Sequence, residues 1–234
     1  MSKAVIFFAP GLEECEGLLC VDLLRRSGVE VTIAGVGGEK IVKSARSISV
    51  VADALAEELD YSAFDAAILP GGIPGVDNLK ADATVRKVCT VPLIVKLSPQ
   101  AENIPEMCKA VEAAGADAIS LTNTFQACAI DLEKRRPVFN NTFAGLSGPA
   151  VRPIALRMVW QAVGAVSIPV VGLGGILTGR DALEFIMAGA AAVQVGTANF
   201  LDPKACTRIT AEIGEWMDAH GVKTLDEIRG CARG

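Results

Sequence analysis

The stretch Ile168-Pro-Val-Val-Gly-Leu-Gly-Gly175 decides the fold, together with Gly196-Thr197 further along the chain. Residues 168–173 form an apolar run typical of a parallel strand that is covered on both faces. Gly174 and Gly175 allow the backbone to approach an anion because they carry no Cβ. Thr178 and Asp181 have the spacing of a capping box and predict a helix from Gly179. This pattern predicts two successive β-strand–turn–helix units with glycine turns that suit a phosphate, although glycines that only close tight turns remain an alternative.

The rest of the chain alternates strand and helix patterns, which favours a largely parallel sheet. One segment breaks the alternation, because Ile41-Val42 and Ile48-Ser-Val-Val51 flank a polar turn and predict an antiparallel hairpin over 41–51. Strands are predicted at 3–9, 29–35, 66–70, 92–97, 117–122, 168–173 and 191–196, and helices at 14–27, 78–89, 103–114, 150–165, 179–188, 203–220 and, shorter, 224–230.

Composition narrows the functional classes. The chain has 234 residues, of which 51% are hydrophobic and 21% are charged, so it can bury a substantial core. A net charge of −5 argues against nucleic acid or an anionic membrane as the main partner. No segment approaches the ~18 apolar residues that would span a bilayer. Seven cysteines without a Cys-x-x-Cys pair are typical of reduced thiols, so we expect a cytoplasmic protein. The single histidine, His220, argues against a histidine metal site, and no metal is expected.

Residues 91 to about 229 resemble the C-terminal half of the cytosolic, FMN-dependent dihydroorotate dehydrogenases, which are (β/α)8 barrels. Five motifs carry the resemblance in the right order: Ile94-Val-Lys-Leu-Ser-Pro99, Thr122-Asn-Thr124, Leu146-Ser-Gly-Pro-Ala150, Gly172-Leu-Gly-Gly175 and Val195-Gly-Thr-Ala-Asn-Phe200. The resemblance implies an FMN-dependent oxidoreductase of pyrimidine biosynthesis.

Residues 3 to about 88 instead resemble the ThiJ/PfpI family, whose fold is flavodoxin-like. The matching motifs are Ala9-Pro-Gly-Leu-Glu-Glu-Cys-Glu16, Asp22-Leu-Leu-Arg-Arg-Ser-Gly28 and Leu69-Pro-Gly-Gly72. We therefore interpret the chain as a chimera, engineered or produced by gene fusion, with the changeover in the helix ending near Cys89. Residues 1–90 would be a flavodoxin-like fragment and 91–234 a half barrel. The predicted fold is a (βα)8-barrel-like α/β hybrid that forms one compact domain, and the 41–51 hairpin either fills a vacant eighth strand position or leaves the sheet partly open.

The resemblance assigns roles to residues at the strand ends. Lys96 would approach the flavin ring, where a cation stabilises electron density on a reduced flavin; a structural ion pair with a core carboxylate is the alternative. Asn123 and Thr124 would reach the pyrimidine substrate and the flavin, and their side chains suit a planar polar ring. Ordinary turn chemistry is the alternative for this pair.

A second group of residues would hold the cofactor through the main chain. By resemblance Ser147 and Gly148 contact FMN, and the glycine turns bind its phosphate. FMN is the expected cofactor, and phosphate or sulfate would otherwise occupy the same site. A bulky residue at Gly175 is expected to abolish binding while leaving the fold largely intact. The predicted cofactor-binding residues are Lys96, Ser147, Gly148, Gly174, Gly175, Gly196 and Thr197.

Each half of the chain lacks part of the catalytic machinery that its resemblance implies. The dehydrogenases use a cysteine base in an asparagine- and cysteine-rich loop motif, and residues 1–90 contain no such motif. Dihydroorotate oxidation to orotate is therefore expected to be weak or absent. The ThiJ/PfpI nucleophile would follow the strand after Leu69-Pro-Gly-Gly72, where Lys96-Leu-Ser-Pro99 stands instead, and this leaves Glu16 without its cysteine partner. A ligand-free structural chimera and, less favoured, a cysteine hydrolase or deglycase are the alternatives.

Overall fold

The computed structural model describes residues 2–88, 92–100 and 103–234. It divides the chain into two compact units, Met1–Leu93 and Ile94–Gly234. The changeover predicted near Cys89, and the predicted boundary between positions 90 and 91, lie outside the described residues. Whether the two units form one compact domain stays a prediction.

Unit 1 is built around a four-stranded parallel sheet with the order β5-β2-β1-β6. The described part of unit 1 as a whole has six strands: β1 (Lys3–Phe8), β2 (Glu30–Gly35), β3 (Ile41–Lys43), β4 (Ser49–Val51), β5 (Ala54–Leu55) and β6 (Ala66–Ile68). Its helices are α1 (Glu14–Arg26), α2 (Gly75–Ala81) and α3 (Ala83–Val88), with 3-10 turns at Ala56–Glu58 and Tyr61–Ala63. The strand order reverses direction at β1, as in doubly wound α/β sheets. The predicted strands 3–9, 29–35 and 66–70 are confirmed, whereas the short β5 was missed.

Both faces of this sheet are covered. Alternate residues of β1 point to opposite sides, as strand geometry requires. Ile6 and Phe8 pack with Val21 of α1 on one side, and Phe7 packs with Leu79 of α2 on the other. The hydrophobic run in β1 therefore follows from burial on both faces of the sheet.

The predicted hairpin over 41–51 is confirmed, with β3 and β4 paired antiparallel through Val42 and Val50. It forms its own two-stranded sheet, and the buried Val42 packs into the α1 side of the core. The expectation that this hairpin fills a vacant position in a parallel sheet is therefore wrong. Ile41 of β3 and Val51 of β4 are exposed, so the hairpin buries only one of its two faces.

One long helix predicted in unit 1 is divided in two. The 78–89 pattern corresponds to α2 and α3, which are separated at Asp82. The backbone of Asp82 is extended, and its Oδ1 accepts hydrogen bonds from the N–H groups of Thr84 and Val85. Asp82 therefore ends one helix and caps the next, which is a common role for aspartate.

Unit 2 contains a second parallel sheet with the sequential order β14-β13-β8-β7. Its strands are β7 (Ile94–Leu97), β8 (Ala118–Leu121), β9 (Phe125–Cys128), β10 (Ile130–Asp131), β11 (Arg136–Pro137), β12 (Phe143–Leu146), β13 (Val170–Leu173) and β14 (Ala192–Gln194), and its helices are α4 (Ile104–Ala113), α5 (Arg152–Val163), α6 (Gly179–Met187), α7 (Ala198–Leu201) and α8 (Ala205–His220), with 3-10 turns at Pro149–Val151, Leu225–Glu227 and Cys231–Arg233. Sequential parallel strands alternating with helices are the repeating unit of (β/α)8 barrels.

The helices of unit 2 bury a common core against this sheet. Cys108 of α4, Met158 of α5, Phe185 of α6 and Ile209 of α8 belong to one buried cluster. Gly172 of β13 permits this packing, because a Cβ there would lie 2.6 Å from Cδ1 of Phe185. The predicted parallel strands of this half are confirmed, as are the helices at 103–114, 150–165, 179–188 and 203–220, the last of which is α8. The one-turn helix α7 was not predicted, and the short helix predicted at 224–230 is a 3-10 turn at Leu225–Glu227.

A hairpin arm in unit 2 was not predicted. Strands β9 and β12 pair antiparallel, and β10 and β11 continue the arm toward a turn where Oδ1 of Asp131 accepts from the N–H groups of Glu133 and Lys134. Its strands are four residues or fewer and widely separated in sequence, so hydrophobic alternation gave little signal.

Among the described residues, no helix combines the length and apolar character needed to cross a membrane.

Candidate functional site

A cavity of about 140 Å³, partly open to solvent, lies at the carboxyl ends of the four parallel strands of unit 2. Concave sites at the carboxyl ends of parallel strands are common places for small molecules to bind in α/β proteins. The lining residues come from the ends of the four parallel strands and from the segment at the end of β12: Lys96, Thr122, Asn123, Thr124, Leu146, Ser147, Gly148, Val151, Leu173, Gly174, Gly175, Ile176, Leu177, Gln194, Gly196, Thr197 and Ala198.

The cavity is lined by all nine residues that were predicted to bind the cofactor or the substrate. They are Lys96, Asn123, Thr124, Ser147, Gly148, Gly174, Gly175, Gly196 and Thr197. The carboxyl ends of parallel strands meet at one edge of the sheet, so residues that follow separate strands converge there. The structure shows that these positions share one site, and their individual roles stay predictions.

Lys96 supplies the charge of the site. It is exposed, pairs in register with Ser120 and makes no ion pair with any described carboxylate. The alternative of a core ion pair is therefore not found in the described part of the chain. Among the lining residues Lys96 is the one charged side chain, so the site favours an anion.

The turn after β13 is compact because both of its residues are glycine. Gly174 and Gly175 have φ of 134° and 74°. A Cβ on Gly174 would lie 2.7 Å from Cβ of Ala155, and one on Gly175 would lie 2.7 Å from the carbonyl oxygen of Gly148 and 2.8 Å from N of Arg152. The expectation that a bulky residue at Gly175 leaves the fold largely intact is therefore wrong, since such a residue would push against main chain.

Gly148 and Gly196 have a different role. A Cβ at either position would meet no atom within 4 Å, so both face open space at the cavity. In the described residues, the main-chain N–H groups of Gly174, Gly175, Gly196 and Thr197 donate no hydrogen bond to another protein group. All four residues line the cavity, and unpaired N–H groups at the edge of a sheet can bind an anion.

Thr122 is a site residue that the sequence interpretation missed. Its side chain is buried, and its Oγ1 has no hydrogen-bond partner in the described structure. It follows β8 directly, after a cis peptide bond between Leu121 and Thr122. A buried hydroxyl without a partner is costly, so a ligand atom in the cavity is its natural partner. The signal available in the sequence was its position beside Asn123 at a strand end.

Polar side chains from neighbouring elements complete the wall. Oδ1 of Asn123 accepts from N of Thr124 at 2.9 Å, which leaves the Asn123 amide NH₂ free to donate. Gly145 lets β12 approach Thr124 closely, because a Cβ there would lie 2.5 Å from Oγ1 of Thr124. Ser120 donates to Oε1 of Gln194 at 2.7 Å and orients another lining side chain that was not predicted.

The predicted residues outside unit 2 form no comparable site in the described structure. Glu16 is exposed in the first turn of α1, and its Oε2 accepts from N–H of Gly71 at 2.7 Å, which ties the helix to the loop after β6. Cys15 beside it is exposed. In unit 2, His220 stacks on Trp216 at the end of α8, with ring centroids 4.0 Å apart. No cluster of metal-ligating side chains occurs among the described residues.

These features define unit 2 as an α/β unit with an anion-suited cavity at the carboxyl edge of its parallel sheet. The sequence profile of the family "Dihydroorotate dehydrogenase" matches residues 25–217. The chain is 47% identical over 216 residues to "Dihydroorotate dehydrogenase B (NAD(+)), catalytic subunit" of Geobacter sulfurreducens, covering 90% of this chain and 70% of that protein. The chain therefore belongs to the dihydroorotate dehydrogenase family.

A second relative shows how much of the family's length is present. The protein of the same name from Petrotoga mobilis is 60% identical over 146 residues, which cover 62% of this chain and 49% of that protein. The chain thus spans about half the length of this relative. The family match also runs across the changeover predicted near Cys89. Among solved structures, oxidized DJ-1 of Toxoplasma gondii is 27% identical, with a TM-score of 0.36 over 51% of this chain and 55% of that chain.

Proposed function

We propose that the chain binds FMN in the cavity of unit 2, with the phosphate on the turns after β13 and β14. The supporting observation is that Lys96 and four residues whose main-chain N–H groups donate to no described protein group line one cavity, and that no carboxylate stands among its described lining residues. A phosphate dianion would accept hydrogen bonds from Gly174, Gly175, Gly196 and Thr197, and charge-assisted bonds of this kind are the strong ones. Inorganic phosphate or sulfate would use the same groups.

The remaining lining residues have complementary roles in this proposal. Lys96 would lie near the flavin ring and stabilise negative charge on it, while the Thr122 hydroxyl would find a partner in the bound cofactor. The Asn123 amide and the Thr124 hydroxyl would orient a planar, polar pyrimidine. FMN, when bound, supplies a ring that accepts electrons as a hydride.

Turnover is proposed to be weak or absent. Oxidation of dihydroorotate to orotate requires a base that removes a proton from a substrate carbon, and residues 1–90 lack the asparagine- and cysteine-rich motif implied by the family resemblance. A missing general base lowers a rate by ~10²–10⁴-fold. We also propose that the two units derive from different α/β parents, because unit 1 has a reversing strand order and unit 2 a sequential one.

A titration of the apoprotein with FMN, followed by flavin fluorescence, tests the binding proposal. We expect saturable binding that inorganic phosphate weakens by competition. Riboflavin, which lacks the phosphate, should bind more weakly than FMN. Absence of saturable FMN binding would contradict the proposal and favour a ligand-free protein. Dihydroorotate oxidation with a dye acceptor then measures turnover, and a rate typical of a full enzyme would contradict the proposed loss of the base.

The cysteine hydrolase alternative has its own test. Under our proposal no cysteine has an activated thiolate, so all exposed thiols should react with iodoacetamide at similar rates at neutral pH. The exposed cysteines of the described chain are Cys15, Cys128, Cys206 and Cys231. One thiol that reacts much faster than the others would favour the alternative.

A further inference from the structure

Arg208 connects the two turns that form the proposed phosphate site. Its Nη1 donates to the carbonyl oxygen of Leu177 at 3.1 Å, and its Nε donates to Oδ2 of Asp202 at 3.1 Å. Leu177 lies two positions after Gly175, and Asp202 follows the one-turn helix α7 that begins after Thr197. One guanidinium group therefore contacts both segments, the one after β13 and the one after β14.

Glu212 extends this connection to a third element. Its Oε1 accepts from Nη1 of Arg208 at 2.7 Å, and its Oε2 accepts from N–H of Gly179 at 2.5 Å, at the start of α6. A Cβ on Gly179 would lie 2.6 Å from Cβ of Glu212, so α8 and the start of α6 approach very closely. One oxygen of the Glu212 carboxylate therefore holds α8 against the start of α6, while the other orients Arg208 within α8.

The charges of this group reinforce one another. The hydrogen bond from Gly179 and then that from Arg208 lower the pKa of Glu212, while the backbone bond from Lys204 and then the Arg208 side chain lower the pKa of Asp202. The bonds to Glu212 and Asp202 raise the pKa of Arg208. All three groups are therefore ionised at neutral pH. None of them lines the cavity, whereas Leu177 and Ala198 do.

We propose that Arg208 is a positioning residue that sets the spacing between the turns after β13 and β14 and so determines selectivity for a phosphorylated ligand. This inference rests on the proposed function. Partly exposed ion pairs contribute little to global stability. The main effect of Arg208, Asp202 and Glu212 is therefore on the relative position of the two turns. A guanidinium suits it because its planar fork serves three acceptors at fixed angles, which a lysine ammonium cannot do.

The test compares FMN with riboflavin in Arg208→Met, Arg208→Lys and a control. We expect Arg208→Met to weaken FMN binding by about tenfold or more, because phosphate contacts are lost when the turns shift, while riboflavin affinity changes less than twofold. Arg208→Lys should be intermediate. Arg157→Met is the matched control, because Arg157 is an exposed arginine bonded to Gln161 within its own helix, and it should leave both affinities unchanged.

A second measurement is made without ligand. Amide hydrogen exchange in peptides covering 174–178 and 196–202 should be several-fold faster in Arg208→Met than in the parent protein, with exchange in the 125–146 arm unchanged. Unchanged exchange in both turns would overturn the positioning role, as would an equal loss of FMN and riboflavin affinity. If the parent protein binds no FMN, the proposed function fails. The hydrogen-exchange comparison alone then decides whether Arg208 fixes the spacing between the turns after β13 and β14.

Discussion

Replacing Gly196 by leucine separates ligand binding from folding more cleanly than any other glycine substitution at the site. Gly196 faces open space at the cavity, and its φ lies outside the left-handed region that disfavours other residues. A Cβ at this position meets no atom within 4 Å, so we expect a leucine side chain to extend toward the cavity without displacing main chain. We expect the free energy of unfolding to change by ~0.5 kcal/mol or less, as at ordinary surface positions.

The expected loss of binding follows from the hydrogen bonds that the side chain would block. Hydrogen bonds to a charged group contribute ~1.5–3 kcal/mol each. A phosphate displaced from the N–H groups of Gly196 and Thr197 would thus lose ~3–6 kcal/mol. Because 1.4 kcal/mol corresponds to a tenfold change in Kd, FMN affinity should fall by about 100-fold or more.

Gly175→Ala provides the contrast. Its φ of 74° costs an alanine ~1–2 kcal/mol, and the new Cβ would also press on the Gly148 carbonyl oxygen. This variant should lose both stability and FMN affinity. The assay pairs FMN titration with urea unfolding for both variants. Binding of FMN by Gly196→Leu at the parental affinity would refute the placement of the phosphate. A large loss of stability would refute the claim that Gly196 has room for a side chain.

Three further predictions concern electrostatics and cooperativity. Lys96→Ala should make the reduction potential of bound FMN ~30 mV more negative, equivalent to ~1.4 kcal/mol for a two-electron couple. Its effect on FMN affinity should be less than tenfold. Lys96→Arg should restore the potential, and spectroelectrochemistry measures the potential of both variants. Bonds from the Ser167 side chain, and then from its N–H, lower the pKa of Glu112 from its usual 4.5. Glu112 therefore stabilises the fold fully above pH 4.5 and loses this contribution as the pH falls toward its folded pKa. Glu112→Gln should therefore lower the urea midpoint at pH 7, and this loss should shrink as the pH falls below 4.5. The exposed Glu133→Gln is the control and should not change the midpoint across this range. Both tryptophans, Trp160 and Trp216, lie in unit 2, so urea transitions that coincide by tryptophan emission and far-ultraviolet circular dichroism would support one compact domain, whereas separate transitions would contradict it.

The alternation of elements was readable from the sequence because its signals are local. The apolar run at 168–173, the capping box of Thr178 and Asp181, and the hairpin over 41–51 each depend on residues within a few positions of one another. The errors arose where a distant residue or a weak pattern decides. Asp82 interrupts a helical pattern by capping the next helix, and β5 is only two residues long.

The sequence by itself determined the alternation of the main parallel strands with helices. Its family-like motifs also predicted nine of the residues that line the candidate cavity, because parallel strands bring their carboxyl ends to one edge. The tertiary structure alone decided which glycine has room for a side chain, since the surroundings of Gly175 and Gly196 differ only through contacts with other elements. It alone revealed the unpartnered hydroxyl of Thr122 and the bridge that Arg208 makes between two turns. Burial and hydrogen-bond partners are properties of the folded packing between distant segments, and no local pattern encodes them.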